Sequence, residues 1–310
     1  MSDAAAPVQP PSKAKVFFRR LSSTAILWTV TLAALFAGNS LVARSAFILI
    51  IFVFAMVGLL EFYGLVEKRG LACFKWSGLF GGALLMIGTF LELIGVIGTQ
   101  GSPARVNDFE TSFIILFVLG LCVRQLLSKA TSAGITAVAT TLFGLMYVPW
   151  LLNFFQKINF FTFPPGVSPH DGKFFLLYFV LVTKFSDMGA YVIGSLFGRH
   201  KMVPHISPGK TWEGFAGAIL VSTGASLVFT HFLGGHMVGM NWIHATILGI
   251  ILGSTAVVGD LIESLFKREA GVKDSGGFFP GIGGLLDLLD SLLFNAPIMY
   301  LYLRHILTHP

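Results

Sequence analysis

The stretch of sequence that decides the fold is IHATILGIILGSTAVVGDLIES, residues 243–264. It contains no Lys or Arg, and its first acidic residue is Asp260. A helix needs about 20 mostly apolar residues to cross the hydrocarbon core of a bilayer. The stretch therefore predicts a membrane-spanning helix that carries Asp260 and Glu263 near its end.

The rest of the chain is almost as poor in charge. Of its 310 residues, 55% are hydrophobic and 12% are charged, and the mean hydropathy is +0.79. An average soluble domain carries about 25% charged residues. So few charges cannot cover a water-soluble globule, which excludes an ordinary cytosolic enzyme, a disordered chain and a nucleic-acid-binding module. The two cysteines, Cys73 and Cys122, lack the spacing of a zinc site or a disulfide framework and are predicted to be buried apolar residues.

Nine apolar segments are candidates for membrane helices. The predicted fold class is all-α, a polytopic integral membrane helix bundle of about nine transmembrane helices. Residues 1–24 are predicted to form a flexible basic tail and residues 25–310 the membrane domain, with its catalytic half at about 174–303. The nine segments lie at about 25–38, 46–66, 77–99, 112–127, 133–154, 174–197, 214–235, 243–264 and 285–303.

The basic residues predict the orientation of the bundle. With a cytosolic N-terminus and nine alternating helices, 15 of the 21 Lys and Arg residues fall on the cytosolic side and five on the far side. Lys184 lies inside a helix. Because cytosolic loops are enriched in Lys and Arg, we expect the N-terminus and the loop after residue 264 to face the cytosol.

Two pairs of acidic residues flank that loop. Asp260 and Glu263 are three residues apart on one predicted helix, as Asp287 and Asp290 are on the next, so each pair lies on one helical face. Two such pairs in a low-dielectric setting repel each other unless a cation lies between them. Carboxylate ligands without Cys or His suit Mg²⁺. We therefore predict a metal site formed by all four acids, with room left for a second cation; structural ion pairs within the bundle are the alternative.

The loop between the acid pairs is FKREAGVKDSGGFFPGIGG, residues 266–284. It holds three cations, Lys267, Arg268 and Lys273, among many glycines. Glycine lets backbone N–H groups approach a ligand, and Lys and Arg bind phosphate oxygens. Gly283 and Gly284 lead directly into a predicted helix N-terminus, which favours anions. A simple positive-inside loop with turn glycines explains the cations but not the flanking acids.

A second cytosolic loop is GRHKMVPHISPGKTWEG, residues 198–214. Its Gly-Lys-Thr is not a Walker A motif, because Pro204 stands where that motif requires Gly. Ser207, Lys210 and Thr211 are candidates for binding an anion, and a basic loop with a helix cap is the simpler alternative. Upstream, Lys184 and Asp187 are predicted to form either a buried ion pair or a site contact.

Together these loops resemble the phosphatidate cytidylyltransferases, also called CDP-diacylglycerol synthases. The similarity is specific over about 185–290 and covers the segment from Ser264 to Asp290, the segment 207–214 and the segment 187–191. Glu61-Phe62-Tyr63 is also similar to the family's N-terminal half. The chain departs from the family pattern at Ile282, where the family has His, and at Leu288, where it has Arg.

The resemblance implies a Mg²⁺-dependent nucleotidyltransferase that joins CTP and phosphatidic acid in a bacterial inner membrane, with no nucleic-acid partner; a homodimer is left open. Asp260 and Asp287 would hold the catalytic metal, supported by Glu263 and Asp290. Phosphate groups would be bound by Lys267, Arg268 and Lys273, and by Ser207, Lys210 and Thr211 of the other loop. The remaining substrate-binding residues implied are Asp187, Ser264, Asp274, Gly283 and Gly284.

The chemistry agrees with the residues present. A lipid phosphate is already an anion at neutral pH, so the reaction needs alignment and charge neutralisation more than a strong general base. Three alternatives remain: another CTP-dependent lipid enzyme such as a polyprenol kinase, an ion-coupled secondary transporter, and a non-catalytic membrane scaffold. A transporter predicts acids near the bilayer midplane in two matching halves, whereas here the acids lie at helix ends beside phosphate-type loops.

Overall fold

The protein is an almost entirely helical bundle in the parts of the chain that the computed structural model describes, residues 29–38, 41–97, 103–128, 133–161, 172–277 and 283–307. This confirms the all-α prediction. The described helices are α1 (29–36), α2 (Leu41–Lys68), α3 (Lys75–Leu93), α4 (Pro103–Leu127), α5 (Gly134–Leu145), α6 (Leu151–Asn159), α7 (Gly172–Phe197), α8 (Trp212–Leu233), α9 (Trp242–Glu269) and α10 (Leu286–Tyr302).

Eight helical stretches of the described chain are long and apolar enough to cross a membrane, which confirms a polytopic membrane protein. They are Ser45–Lys68, Lys75–Leu93, Val106–Leu127, Gly134–Asn159, Gly172–Phe197, Trp212–His236, Trp242–Glu269 and Leu286–Leu307. The first predicted segment, 25–38, lies partly outside the described residues, and α1 covers only 29–36 of it. The predicted tail, 1–24, lies wholly outside them, and the orientation of the termini stays a prediction.

The fifth predicted segment is interrupted by a π-helical turn, Met146–Trp150, between α5 and α6. Pro149 lies within this turn. Proline has no backbone N–H to donate, so the regular helical hydrogen-bond ladder cannot pass through it. The wider turn lets one membrane span continue from Gly134 to Asn159.

A short hairpin, which the sequence pattern does not predict, follows α7. Strands β1 (Lys201–Val203) and β2 (Ser207–Thr211) pair antiparallel, with Val203 opposite Ser207. Pro204, at the turn between the two strands, was the available signal in the sequence. The hairpin places β2 directly before α8.

Small residues bring the helices of the C-terminal half close together. Between α7 and α8, a Cβ on Gly194 would lie 3.4 Å from the Cα of Gly214. Between α8 and α9, a Cβ on Gly249 would lie 2.5 Å from the Cα of Thr223. Membrane helices associate through such close backbone approach, so Gly194 of α7 and Gly249 of α9 serve helix packing.

Helix α10 is the most buried of the eight spans. Asn295 fixes it: its side-chain amide donates to Thr183 Oγ1 at 2.7 Å and to the carbonyl of Leu252 at 3.0 Å, and accepts from Thr255 Oγ1 at 2.6 Å. Buried polar groups need such partners. These bonds tie α10 to α7 and α9 about one turn beyond Asp290.

The expectation that both cysteines are buried is wrong. Cys122 is exposed on α4, facing outward from the bundle, and Cys73 is half-buried. Partial burial and the nearby Glu67 carboxylate raise the pKa of the Cys73 thiol. Apolar character does not show whether a residue of a membrane helix faces lipid or the bundle interior, because both of these surfaces are apolar.

A buried ion pair stabilises the N-terminal half. Lys157 of α6 lies 2.5 Å from Glu110 of α4, and both side chains are under 5% exposed. The Glu110 carboxylate also accepts from Trp150 Nε1 at 3.0 Å and from Asn153 Nδ2 at 3.2 Å. Lys157 therefore lies inside the bundle, near the C-terminal end of α6.

We expect Lys157→Met to lower the free energy of unfolding by about 3 kcal/mol or more, because it leaves the Glu110 charge buried without its cation. Adding Glu110→Gln should restore most of the loss. Lys75→Met is the matched control: its pair with Glu67 is partly exposed at the surface, and such pairs contribute about 1 kcal/mol at most. Denaturant unfolding in detergent micelles measures all three; equal losses for Lys157→Met and Lys75→Met would contradict the prediction.

Candidate functional site

Three carboxylates meet where α9 and α10 lie side by side. Asp260, Glu263 and Asp290 each contribute one oxygen to a cluster in which all three oxygens lie within 4.8 Å of one another. Glu263 is fully buried and Asp290 is 8% exposed. We call these three residues the acid cluster. Of the four acids predicted to lie together, three therefore do so in the structure, and Asp287 does not.

Lysines from three elements surround the acid cluster. Lys210 of β2 lies 2.7 Å from Asp260, and Lys267 of α9 lies 3.2 Å from Glu263. Lys184 of α7 pairs with Asp187 at 3.2 Å and donates to Ser291 Oγ and the Leu288 carbonyl of α10. The Lys184–Asp187 pair is thus present but partly exposed rather than buried, and Lys184 also contacts α10 beside the acid cluster.

Asp287 lies outside the acid cluster. Its Oδ1 pairs with Lys267 at 2.5 Å. Its Oδ2 accepts from the N–H of Gly284 at 2.8 Å and from the N–H and hydroxyl of Ser275 at 3.1 and 3.0 Å. In this arrangement Asp287 holds the glycine-rich loop to the start of α10, and its role as a metal ligand stays a prediction.

The acid cluster fits a divalent cation. Its donors are all carboxylate oxygens, the ligands that hard cations prefer. Glu263 Oε1 is buried and has no hydrogen-bond partner among the described residues. A buried carboxylate oxygen without a donor is costly, and a cation held by Asp260, Glu263 and Asp290 would satisfy it.

A cavity of about 400 Å³ opens beside Asp260, between α7, the hairpin, α8 and α9. Ligand pockets have volumes of about 300–1,000 Å³. Four predicted substrate-binding residues line it: Asp187, Ser207, Lys210 and Thr211. Its other lining residues are Ala190, Tyr191, Gly194, Ser195, Met202, Gly209, Gly214, Phe215 and Val257.

The hairpin is held over this cavity by polar contacts. The Glu213 carboxylate accepts from the N–H groups of Arg199 and His200 and lies 2.6 Å from His200 Nδ1. Thr211 Oγ1 accepts from the N–H of Gly214 at 3.1 Å and caps α8. The helix-cap alternative therefore holds for Thr211, whereas Lys210 reaches the acid cluster.

The remaining predicted residues have different surroundings. Lys267 and Arg268 belong to the last turn of α9, not to a loop, where their charge is favourable at a helix C-terminus. Arg268 donates to the Ile206 carbonyl at the hairpin turn, 3.1 Å away. Ser264 Oγ donates to Asp260 at 3.4 Å. Lys273 and Asp274 are exposed, whereas Gly283 has a φ of +115° that L side chains rarely adopt.

Three residues that contact the site, Ser275, Ser291 and Glu61, are not among those that the sequence predicts. Glu61 is similar to a residue in the family's N-terminal half, and its carboxylate accepts from the N–H of Leu286 at 2.8 Å. Its isolation in an apolar helix was the available signal, because intramembrane acids are rarely without function. Ile282 lies outside the described residues.

The fold and site together define a polytopic membrane protein with a carboxylate and lysine site beside a cavity at its helix ends. The cytidylyltransferase family model matches residues 19–306, and the chain belongs to this family.

Curated relatives carry a more specific name. The chain is 32% identical over 210 residues to a phosphatidate cytidylyltransferase of Mycobacterium bovis, covering 66% of this chain and 65% of the relative. It is 34% identical over 268 residues to one of Staphylococcus saprophyticus, covering 81% and 97% of the two chains. With one of Haemophilus influenzae it shares 43% identity over 137 residues, covering 44% and 48%. The matches to the first mycobacterial relatives span 60–65% of those relatives' lengths.

Proposed function

We propose that the protein is a CTP:phosphatidate cytidylyltransferase that makes CDP-diacylglycerol and pyrophosphate in phospholipid biosynthesis. The observation that carries the proposal is the acid cluster with its lysines beside a nucleotide-sized cavity. Membership of the cytidylyltransferase family and the names of the relatives support it.

The reaction forms one bond and breaks another. An oxygen of the lipid phosphate attacks the α-phosphorus of CTP, and the bond from that phosphorus to the oxygen leading to the β-phosphorus breaks. Pyrophosphate leaves with that electron pair, and no proton has to be removed from the nucleophile. Catalysis then depends on aligning two anions and neutralising the leaving group.

The residues of this site suit those two tasks. Asp260, Glu263 and Asp290 would hold Mg²⁺, which supplies positive charge for the triphosphate. Lys210 lies on the wall of the cavity and can bind triphosphate oxygens while it contacts Asp260. Lys267 pairs with both Glu263 and Asp287 and neutralises part of their negative charge.

Two further features support where the substrates would bind. Lys273 is exposed on the loop after α9 and is available to a lipid phosphate. The excess of basic residues on this side of the bundle favours a cytosolic site at a bacterial inner membrane. CTP would enter from the cytosol, and phosphatidic acid from the bilayer.

The test uses the purified full-length chain in nanodiscs with CTP, phosphatidic acid and Mg²⁺. We expect label from [α-³²P]CTP to appear in CDP-diacylglycerol and label from [γ-³²P]CTP in pyrophosphate, with EDTA abolishing both. Label transferred from the γ-position to a lipid, with phosphatidic acid or a polyprenol as acceptor, would identify a kinase and overturn the proposal. Absence of any CTP-dependent product would also overturn it.

A further inference from the structure

The side chain of Glu61 crosses from the N-terminal half of the bundle to the start of α10. Its Oε2 accepts from the N–H of Leu286 at 2.8 Å and from the hydroxyl of Ser275 at 3.3 Å. The first N–H groups of a helix have no partner within the helix, and a side-chain oxygen placed there accepts from one of them. Glu61 therefore links α2 to the N-terminus of α10 and to Ser275 of the loop.

The loop packs around this carboxyl group in a space that only glycine fits. A Cβ on Gly284 would lie 2.7 Å from Glu61 Oε2 and 2.6 Å from the backbone nitrogen of Gly276. A Cβ on Gly276 would overlap with Glu61 Oε1. The contact between Glu61 and the loop is thus steric as well as polar.

Ser275 connects Glu61 to the residues beside the acid cluster. Its hydroxyl lies 3.3 Å from Glu61 Oε2 and 3.0 Å from Asp287 Oδ2, so its single hydrogen can be donated to either carboxylate. Asp287 in turn pairs with Lys267, and Lys267 with Glu263. A continuous set of contacts therefore runs from α2 to the acid cluster.

We propose that Glu61 is a positioning residue for cytidylyl transfer, which holds Ser275 and the start of α10 so that Asp287 and Lys267 stay beside the acid cluster. The inference rests on the proposed function. None of the ion pairs among the described residues involves Glu61. Its acceptor oxygen and its length, rather than its charge, are what the role requires.

Three variants separate these requirements: Glu61→Gln keeps the acceptor and the length, Glu61→Asp is too short, and Glu61→Ala has neither. We expect Glu61→Ala and Glu61→Asp to lower kcat about tenfold or more, since small misplacements in an active site are costly. Glu61→Gln should rescue most of the rate, and the KM for CTP should change little in all three. Glu67→Gln is the control, because Glu67 lies on the same helix but pairs with Lys75 at the surface.

A second readout does not depend on catalysis. Lys273 is exposed on the loop that Glu61 holds, so trypsin cleavage after Lys273 reports local opening. We expect cleavage about fivefold faster or more in Glu61→Ala and unchanged in Glu61→Gln, because loss of the contact raises the open population. Mass spectrometry of the fragments assigns the cleavage site.

The outcomes distinguish this inference from the proposed function. If the wild-type chain lacks cytidylyl transfer, the proposed function is wrong, and so is a role of Glu61 in that reaction. Faster cleavage in Glu61→Ala would then still show that Glu61 holds the loop. If Glu61→Ala changes neither kcat nor cleavage, the inference alone is wrong. If Glu61→Gln loses as much rate as Glu61→Ala, charge is required and positioning is not the role of Glu61.

Discussion

Replacing Asp290 with asparagine is expected to lower cytidylyl transfer by about 100-fold or more, an effect of the size seen when one preorganised electrostatic contact is removed. Asp290 is almost fully buried and is one of the three residues of the acid cluster. Asparagine keeps its shape but removes one of the negative charges that would hold the cation. Radiolabelled CTP turnover in nanodiscs measures the loss.

The same variant should leave the metal-free protein at least as stable as the wild type. Three carboxylates within 4.8 Å repel each other without a cation, so removing one charge relieves repulsion. We therefore expect Mg²⁺ to raise the melting temperature of the wild type and of Glu67→Gln, but not of Asp290→Asn. Full turnover together with an unchanged Mg²⁺ response in Asp290→Asn would show that the acid cluster does not hold the metal.

Replacing Lys210 with methionine is expected to raise the KM for CTP by about 30-fold, within the range for a lost charge-assisted contact. Lys210 lines the cavity, lies 2.7 Å from Asp260 and donates to the Val257 carbonyl. Methionine keeps most of the side-chain volume but removes the ammonium group that would contact triphosphate oxygens. Initial rates over a range of CTP concentrations measure KM and kcat separately.

Lys201→Met is the matched control for Lys210→Met. Lys201 lies on β1 of the same hairpin, opposite Thr211, and its side chain is exposed outside the cavity lining. Its replacement should leave KM within about twofold of the wild type, as expected for a surface substitution. If both substitutions raised the KM for CTP equally, the hairpin would attract CTP only through its overall positive charge, and a specific contact by Lys210 would be ruled out. The KM effect of Lys210→Met also contrasts with the kcat effect expected at Glu61.

The membrane fold was predictable because apolar length is a local property. An apolar run such as residues 243–264 has one stable conformation in a bilayer, a helix whose backbone N–H and C=O groups are all hydrogen-bonded within the helix. Its exact end was less predictable: α9 continues to Glu269, because Lys267 and Arg268 stabilise a helix C-terminus as readily as they occupy a loop. The hairpin after α7 was missed because its two strands are short and polar.

The acid cluster could be predicted only in part. The three-residue spacings placed Asp260 with Glu263 and Asp287 with Asp290 on common helical faces. Spacing does not determine how two helices are rotated about their axes, and that rotation brings Asp290 to the cluster while Asp287 faces the loop. The lysine partners come from three different elements, so their pairing depends on the packing of α7 and the hairpin against α9.

The sequence by itself determined that this is a polytopic helical membrane protein in which two acid pairs flank a basic, glycine-rich loop, because hydropathy and residue spacing act within one helix. Only the tertiary structure decided which carboxylates meet, that Lys210 reaches Asp260 from the hairpin, and that Glu61 contacts the start of α10 from 225 residues away. The physical reason is that these contacts join distant segments. They depend on helix rotation and close glycine packing, which no local pattern specifies.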